Sequence, residues 1–237
     1  EQMKRKIDEL LAEKLAGLNM SRGQILRAIA ESGLDGEDAA AWGDAELGSL
    51  SKALRRVAKP IVIAANKADT DEAVENIGRM GGQGIDEIPT SAESELVLRR
   101  AAAKGLIEYV PGDGSFEVIG EMTGEQRRAL RLIEERVLSR WQSTGVQRTL
   151  NKSYLEVLDM IAVYPVEDPN KLTDHSGNVL PDVHLVPRGT TARDLAYMIH
   201  TDLGTRFLYA IDCRTKMKLK DDHVLKDDDV ISIVSTT

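Results

Sequence analysis

The chain has 237 residues, of which 42% are hydrophobic and 30% charged. At roughly 100–200 residues per domain it holds one or two domains, and the apolar content excludes wholesale disorder. Its 31 basic and 39 acidic residues leave a net charge of −8, which argues against holding nucleic acid by bulk charge; the single cysteine, Cys213, excludes an intramolecular disulfide framework or a cysteine-rich zinc site.

The first 59 residues read as helices. Ile7, Leu10, Leu11, Leu15 and Leu18 recur at helical spacing. Ser21 and Gln24 have capping-box spacing ahead of Ile25, Leu26 and Ile29, and Gly33 is a stop. Leu47, Leu50, Leu54 and Val57 mark a further helix, ended by Pro60. This block has ten basic and ten acidic residues and no motif of catalysis. It reads as a helical packing or partner-binding appendage. Because Glu1 stands where a helix is already under way, an internal starting point is expected.

At Pro60 the pattern changes. Ile61-Val-Ile-Ala-Ala65 is a continuous apolar run, predicted to be a strand buried on both faces of a parallel sheet. A helix over Asp71–Met80, a flexible turn at Gly81, Gly82 and Gly84, and a strand over Ile85–Pro89 follow, which is α/β alternation. Leu96–Lys104 is predicted helical. Leu106–Val110 and Ser115–Ile119 flank Pro-Gly-Asp-Gly, a hairpin signal. Thr123 and Gln126 repeat the capping-box spacing before a long helix to Trp141. From residue 155 the class changes again. Strands are predicted at Ile161–Tyr164, Val183–Val186, Phe207–Ile211 and Val230–Val234, with one helix from Thr191 to Leu203. Short strands around one helix make a compact β-grasp domain of α+β class.

The chemistry concentrates at Asn66-Lys67-Ala68-Asp69, just beyond the carboxyl end of the first strand, where ligands of open α/β sheets bind. The residue types suit a guanine base. The Asp69 carboxylate can accept from ring N1–H and exocyclic N2–H₂, two donors that adenine does not offer in that arrangement. Lys67 can lay its aliphatic stem across the base. Asn66 can tie the loop to its neighbours and contact the base edge. Thr90-Ser91-Ala92 follows the second strand, where a backbone N–H could reach guanine O6.

These two motifs resemble the guanine-recognition motifs of a translation-factor-type GTPase. Tyr164-Pro-Val-Glu-Asp, the stretch His175 to Pro181, Gly189-Thr-Thr-Ala-Arg-Asp194 and Ile199-His-Thr-Asp-Leu-Gly204 resemble a TGS domain. Together they resemble the YchF branch of the Obg-like GTPases, in an archaeal-type version. The resemblance implies a helical insertion at residues 1–59, the C-terminal part of a nucleotide-binding domain at 60–154 and a TGS domain at 155–237. The fold class is thus α/β, a partial P-loop GTPase sheet with its insertion, plus the α+β β-grasp domain. The resemblance also implies GTP or GDP as ligand, a cytoplasmic, translation- or ribosome-associated GTPase, and ribosome or RNA as partner of the TGS domain. Asp69 stands where relatives that favour adenine carry Glu, which implies guanine.

One family motif is missing. No Gly-x-x-x-x-Gly-Lys-[Ser/Thr] occurs, and the dipeptide Gly-Lys is absent altogether. A phosphate loop cradles the phosphates and its Ser/Thr holds Mg²⁺. The expectation is that this half lies upstream of Glu1 in the intact protein. Mg²⁺ binding is expected only with that half, and residues 1–237 alone are expected to be inactive.

Other motifs carry less. The four histidines have no ligand spacing, and Asp174-His-Ser-Gly177 reads as a turn. Arg214, Lys216, Lys218 and Lys220 alternate, so on a strand they would share one face as a possible RNA-contacting row; a solvated edge strand gives the same pattern. Residues 155–237 hold nine basic and 14 acidic residues, so long-range attraction to RNA is weak. No run reaches the ~20 apolar residues of a membrane span, and no membrane partner is expected. Two alternatives stand beside the GTPase reading. One is a winged-helix nucleic-acid binder, with helix 96–104 carrying Arg99, Arg100 and Lys104 ahead of the hairpin; the other is a non-catalytic β-grasp adaptor.

Overall fold

The computed structural model describes residues 7–15, 17, 20–34, 36–82 and 86–236, with 36–38 by backbone alone. The chain divides into two compact units, Glu1–Val62 and Ile63–Thr237.

The first unit is helical: α1 (Ile7–Lys14), α2 (Arg22–Ser32) and α3 (Asp44–Ala58). Local chemistry sets the ends of α2. The Ser21 hydroxyl accepts from Gln24 N while the Gln24 side chain accepts from Ser21 N, and Gly33 closes the helix at φ 72°. Ile25, Ile29 and Leu50 form the core, with Ala28, Ala53 and Val57 alongside. The apolar stripe is narrower than the sequence pattern predicts. Leu10, Leu26 and Leu47 are exposed, and small Ala53 takes the buried position between Leu50 and Val57. Leu18 lies outside the described residues.

The second unit opens with β1 (Ile63–Ala65), α4 (Asp71–Gly82) and β2 (Glu87–Pro89), and the two strands run parallel with Ala65 opposite Pro89. Two expectations are corrected here. The helix runs through Gly81 and Gly82, so these residues are helical and not a turn; Gly84 and Ile85 lie outside the described residues. β1 is not buried on both faces. Ile63 and Ala64 are exposed and Ala65 is half-buried, because β1 and β2 are a two-stranded sheet among the described residues. An apolar run encodes a capacity for burial, whereas its realisation needs neighbours on both faces.

Helix α5 (Ala92–Ala103) leads into the hairpin β3 (Ile107–Glu108) and β4 (Glu117–Val118). Helix α6 (Gly124–Ile133) starts at a Thr123–Gln126 capping box and continues through a π turn, Glu134–Leu138, into α7 (Ser139–Trp141). Leu98, Ile107, Tyr109, Leu130, Ile133, Val137 and Leu138 form the core of this part. A short helix, α8 (Val146–Asn151), with a π turn at Lys152–Val157, was not expected from the sequence.

The β-grasp part is a five-stranded mixed sheet of order β6-β5-β9-β7-β8. Its strands are β5 (Met160–Pro165), β6 (His184–Pro187), β7 (Phe207–Asp212), β8 (Lys218–Leu219) and β9 (Asp229–Ser235). β5 pairs parallel with β9 and antiparallel with β6; β7 pairs antiparallel with both β9 and β8. Ile161, Val163, Val186, Ala210 and Ile231 pack with Leu195 of the crossing helix in one core. That helix is two: α9 (Ala192–Ile199) and α10 (Thr201–Thr205). The break is at His200, which is extended and accepts from Asp202 N at 3.2 Å, so it caps a new helix where a continuous one was expected. Thr191 caps α9, its hydroxyl accepting from Asp194 N while Asp194 accepts from Thr191 N. Removing that hydroxyl as Thr191→Ala should lower stability by about 0.5–2 kcal/mol, the usual worth of an N-cap, read by thermal unfolding. Unchanged unfolding would mean the cap contributes nothing here.

Among the described residues, no helix is long and apolar enough to cross a membrane.

Candidate functional site

The loops that leave β1 and β2 run side by side, because the strands are parallel and end together at the Ala65–Pro89 pair. Backbone bonds sew them together: Thr90 N donates to Ala65 O at 3.0 Å and Ala68 N to Thr90 O at 3.0 Å. Lys67 sits in the left-handed region at φ 66°, which turns the chain sharply between Asn66 and Ala68. Ala68 is fully buried, so the third position of Asn-Lys-x-Asp needs a small side chain in this setting.

All five candidate base-binding residues meet at this place. The Asn66 Oδ1 accepts from Lys67 N at 2.9 Å and from Ala92 N at 3.1 Å, so one side chain bridges both loops. Among the described residues its Nδ2 has no partner. The Asp69 Oδ1 accepts from the Ser91 hydroxyl at 2.9 Å, and its Oδ2 likewise has no partner among them. Asn66, Lys67 and Ala92 are exposed, Asp69 is half-buried and Ser91 is fully buried. Ser91 also caps α5, its oxygen lying 3.4 Å from Ser94 N and 2.8 Å from the Ser94 hydroxyl. Each backbone N–H of Thr90-Ser91-Ala92 already has an acceptor. Thr90 and Ser91 donate to the carbonyls of Ala65 and Thr144, whereas Ala92 donates to the Asn66 side chain. A rotating amide can release the last far more readily than a backbone carbonyl can release the others.

Several residues that matter here carried no sequence signal. The Trp141 indole N–H donates to Ala68 O at 3.0 Å. Ser91 N donates to Thr144 O at 2.8 Å. Thr144, fully buried, donates its hydroxyl to Glu95 Oε2 at 2.6 Å; that oxygen also accepts from Tyr109 OH at 2.8 Å, and Glu95 Oε1 accepts from Arg99 at 2.6 Å. Burial pushes the Glu95 carboxyl up, but the bonds from Thr144, Arg99 and Tyr109 outweigh it and hold Glu95 below its ordinary value. Burial, with the bond to Glu95, pushes the Tyr109 phenol up to about 12. The tie between Arg99 and buried Glu95 also weakens the winged-helix alternative, whose recognition helix needs its cations free for phosphate.

The lysine row is corrected. Only Lys218 and Leu219 are strand; Arg214 lies in the turn after β7, and Lys216 has φ 62°. The Arg214 guanidinium donates to Asp228 O, Lys216 Nζ to Pro169 O, and Lys218 Nζ lies 4.4 Å from the Tyr209 ring centroid. Asp212 causes the turn, accepting from Arg214 N, Thr215 N and the Thr215 hydroxyl, so strand alternation never reaches these residues. Asp174 accepts from Ser176 N and Asn178 N, so the Asp-x-x-Gly segment is a turn, as expected from the sequence. Among the described residues no three His, Cys, Asp or Glu side chains are grouped where they could hold a metal ion.

Comparison with known proteins agrees with this arrangement. Residues 64–168 match the family described as Obg-like GTPase YGR210-like, G4 motif-containing domain, and residues 176–235 match the TGS domain. A GTP-binding protein of Methanocaldococcus jannaschii is 46% identical over 99% of this chain and 59% of its own length. One from Schizosaccharomyces pombe is 28% identical over 67% of this chain and 41% of its own. The crystal structure of a GTP-binding protein from Pyrococcus horikoshii superposes with a TM-score of 0.64 at 40% identity, covering 98% of this chain and 62% of that one. The chain therefore spans about three fifths or less of the length of these relatives. With the two parallel strands, the joined Asn66–Asp69 and Thr90–Ala92 loops and the β-grasp sheet in place, the chain carries a YGR210-like G4 motif-containing domain of the Obg-like GTPases followed by a TGS domain.

Proposed function

We propose that the loops after β1 and β2 hold the base of GTP or GDP and that Asp69 selects guanine. The observation that carries this reading is the state of Asp69. One oxygen is fixed by the Ser91 hydroxyl at 2.9 Å, and the other has no partner among the described residues. A carboxylate oriented in advance can accept from N1–H and N2–H₂ without first being ordered, which favours binding. Lys67 supplies its stem to the base face. The free Asn66 amide can donate to the base edge, and Ala92 N–H reaches O6 once Asn66 Oδ1 yields it. The GTP-binding relatives support the same ligand.

Hydrolysis and Mg²⁺ belong, in this reading, to a phosphate loop, for which these 237 residues contain no motif. The chain contributes base selection and no chemical step. The helical unit is proposed as the insertion, residues 60–154 as the C-terminal part of the nucleotide domain and 155–237 as a docking module. Contact of that module with ribosome or RNA rests on the family resemblance. Of its four clustered cations, Lys220 alone has its charged group unpaired among the described residues. A cytoplasmic setting accords with Cys213 as a free thiol.

The test is a nitrogen-15 NMR titration of residues 1–237 with GMP, IMP and AMP. Amides of Asn66–Asp69 and Ser91–Ala92 should shift with GMP, less with IMP, which lacks the N2 amine, and least with AMP. Base contacts without phosphate contacts predict weak binding. Equal shifts with GMP and AMP would overturn the reading.

A further inference from the structure

We infer that Trp141 and Thr144 are positioning residues for base recognition: one five-residue segment, 141–145, holds both base-reading loops in register. This inference rests on the guanine reading above and adds which residues outside the two motifs make it selective.

The segment makes one hydrogen bond to each loop, through a backbone group that is otherwise unsatisfied. The Trp141 indole N–H takes the carbonyl of Ala68, between Lys67 and Asp69. The Thr144 carbonyl takes the N–H of Ser91, whose hydroxyl fixes Asp69. Both loops thus read their position from the same short stretch. That stretch is stiffly held at both ends. Gln142 at φ 63° ends α7, and Gly145 at φ 78° packs against Pro89. In between, the buried Thr144 hydroxyl is held by Glu95, which Tyr109 and Arg99 also engage. Glu95 belongs to α5, the helix that Ser91 caps. Ser91 is therefore tied to its own helix twice, by its cap and through Thr144 and Glu95. A buried ionised carboxylate with three donors is a rigid anchor, because moving any donor away strands a desolvated charge.

A bystander role in folding predicts something different from a positioning role. Bystander substitutions change stability and leave the ligand preference of the folded protein intact. Positioning substitutions change the preference itself, because Asp69 and Ser91 lose their relative placement while both remain present.

The experiment uses residues 1–237 as parent, Thr144→Val, Thr144→Ser and Trp141→Phe, each titrated with GMP and AMP by NMR below its unfolding transition. The Trp141 indole N–H resonance should move during the parent's GMP titration with the same midpoint as the Asp69 amide. Thr144→Val, which keeps shape but loses the donor, should weaken GMP binding roughly three- to tenfold, within the usual coupling between members of one hydrogen-bond network. Thr144→Ser, which restores the donor, should bind GMP as the parent does. Trp141→Phe should also weaken GMP binding. AMP binding should be unchanged throughout. If Thr144→Val does not fold, Trp141→Phe decides: unchanged GMP affinity overturns the inference. A selective parent whose folded variants are equally selective overturns the brace and leaves the guanine reading standing. A parent that does not distinguish GMP from AMP overturns the guanine reading, and the inference with it.

Discussion

Gly145→Ala should destabilise the second unit by more than about 3 kcal/mol, the range reserved for core clashes and backbone strain. A methyl on Gly145 would lie 1.9 Å from the Pro89 carbonyl oxygen and 2.9 Å from the Thr90 Cα. Both are backbone atoms of the strand end and loop that lead into Ser91, so no side-chain rotation relieves the contact. Gly145 is also left-handed at φ 78°, which adds roughly 1 kcal/mol for any residue with a Cβ. Gly105 provides the comparison. It has a similar φ of 66° but nothing within 4 Å of its added methyl, so Gly105→Ala should show the backbone part alone. Urea unfolding of the two variants separates steric from conformational cost. Equal losses would mean that Gly145 can back away from Pro89 cheaply and that the 141–145 segment is not held where the structure has it.

The same segment shows what the sequence could disclose and what it could not. Helix starts were legible because their chemistry is local. Ser21, Thr123 and Thr191 each cap a helix whose third residue answers back, and a spacing of three is visible in a string. The residues proposed to read the base were legible for a related reason. Asn66, Lys67 and Asp69 are neighbours, and the second loop follows the next strand. Trp141 and Thr144 were not, since their partners Ala68 and Glu95 lie 73 and 49 positions away. Trp141 also continues an apolar helical face, which explains it without remainder in one dimension. The lysine row failed in the opposite direction. Alternation was real, but Asp212 gathers the turn that follows it and removes Arg214 and Lys216 from any strand. Periodicity states which residues would share a face if an element formed; whether it forms is decided by a competing side-chain bond. Burial of β1 failed because it depends on strands and helices beside it, a property of the assembly rather than of the segment.

Asp69→Asn should exchange guanine preference for xanthine preference. The change is nearly isosteric, so the loop geometry is retained: the Ser91 hydroxyl can still donate to the remaining amide oxygen. What changes is the hydrogen-bond sense of one position. The aspartate offers acceptors to N1–H and N2–H₂, whereas asparagine places an NH₂ group where one acceptor stood, and two donors then face each other across the N2 position. An unmatched donor at a dehydrated edge costs about 1–3 kcal/mol, which is roughly a five- to 150-fold loss of guanine-nucleotide affinity. Xanthine carries an oxygen at that position and accepts from the new amide, so its nucleotides should gain as guanine's lose. The reciprocal exchange is the informative part. Simple damage to the loop would weaken both bases, and a base held by stacking on Lys67 alone would show neither effect. The measurement is competition between GMP and XMP for parent and variant, read at the Asn66 and Ala92 amides. Thr90→Ser and Ser94→Ala bound the result: neither side chain is hydrogen-bonded to Asp69, and neither substitution should reverse the preference. If Asp69→Asn retains guanine over xanthine, the carboxylate is not the selector, and the Ser91–Asp69 bond is only a tie between two loops.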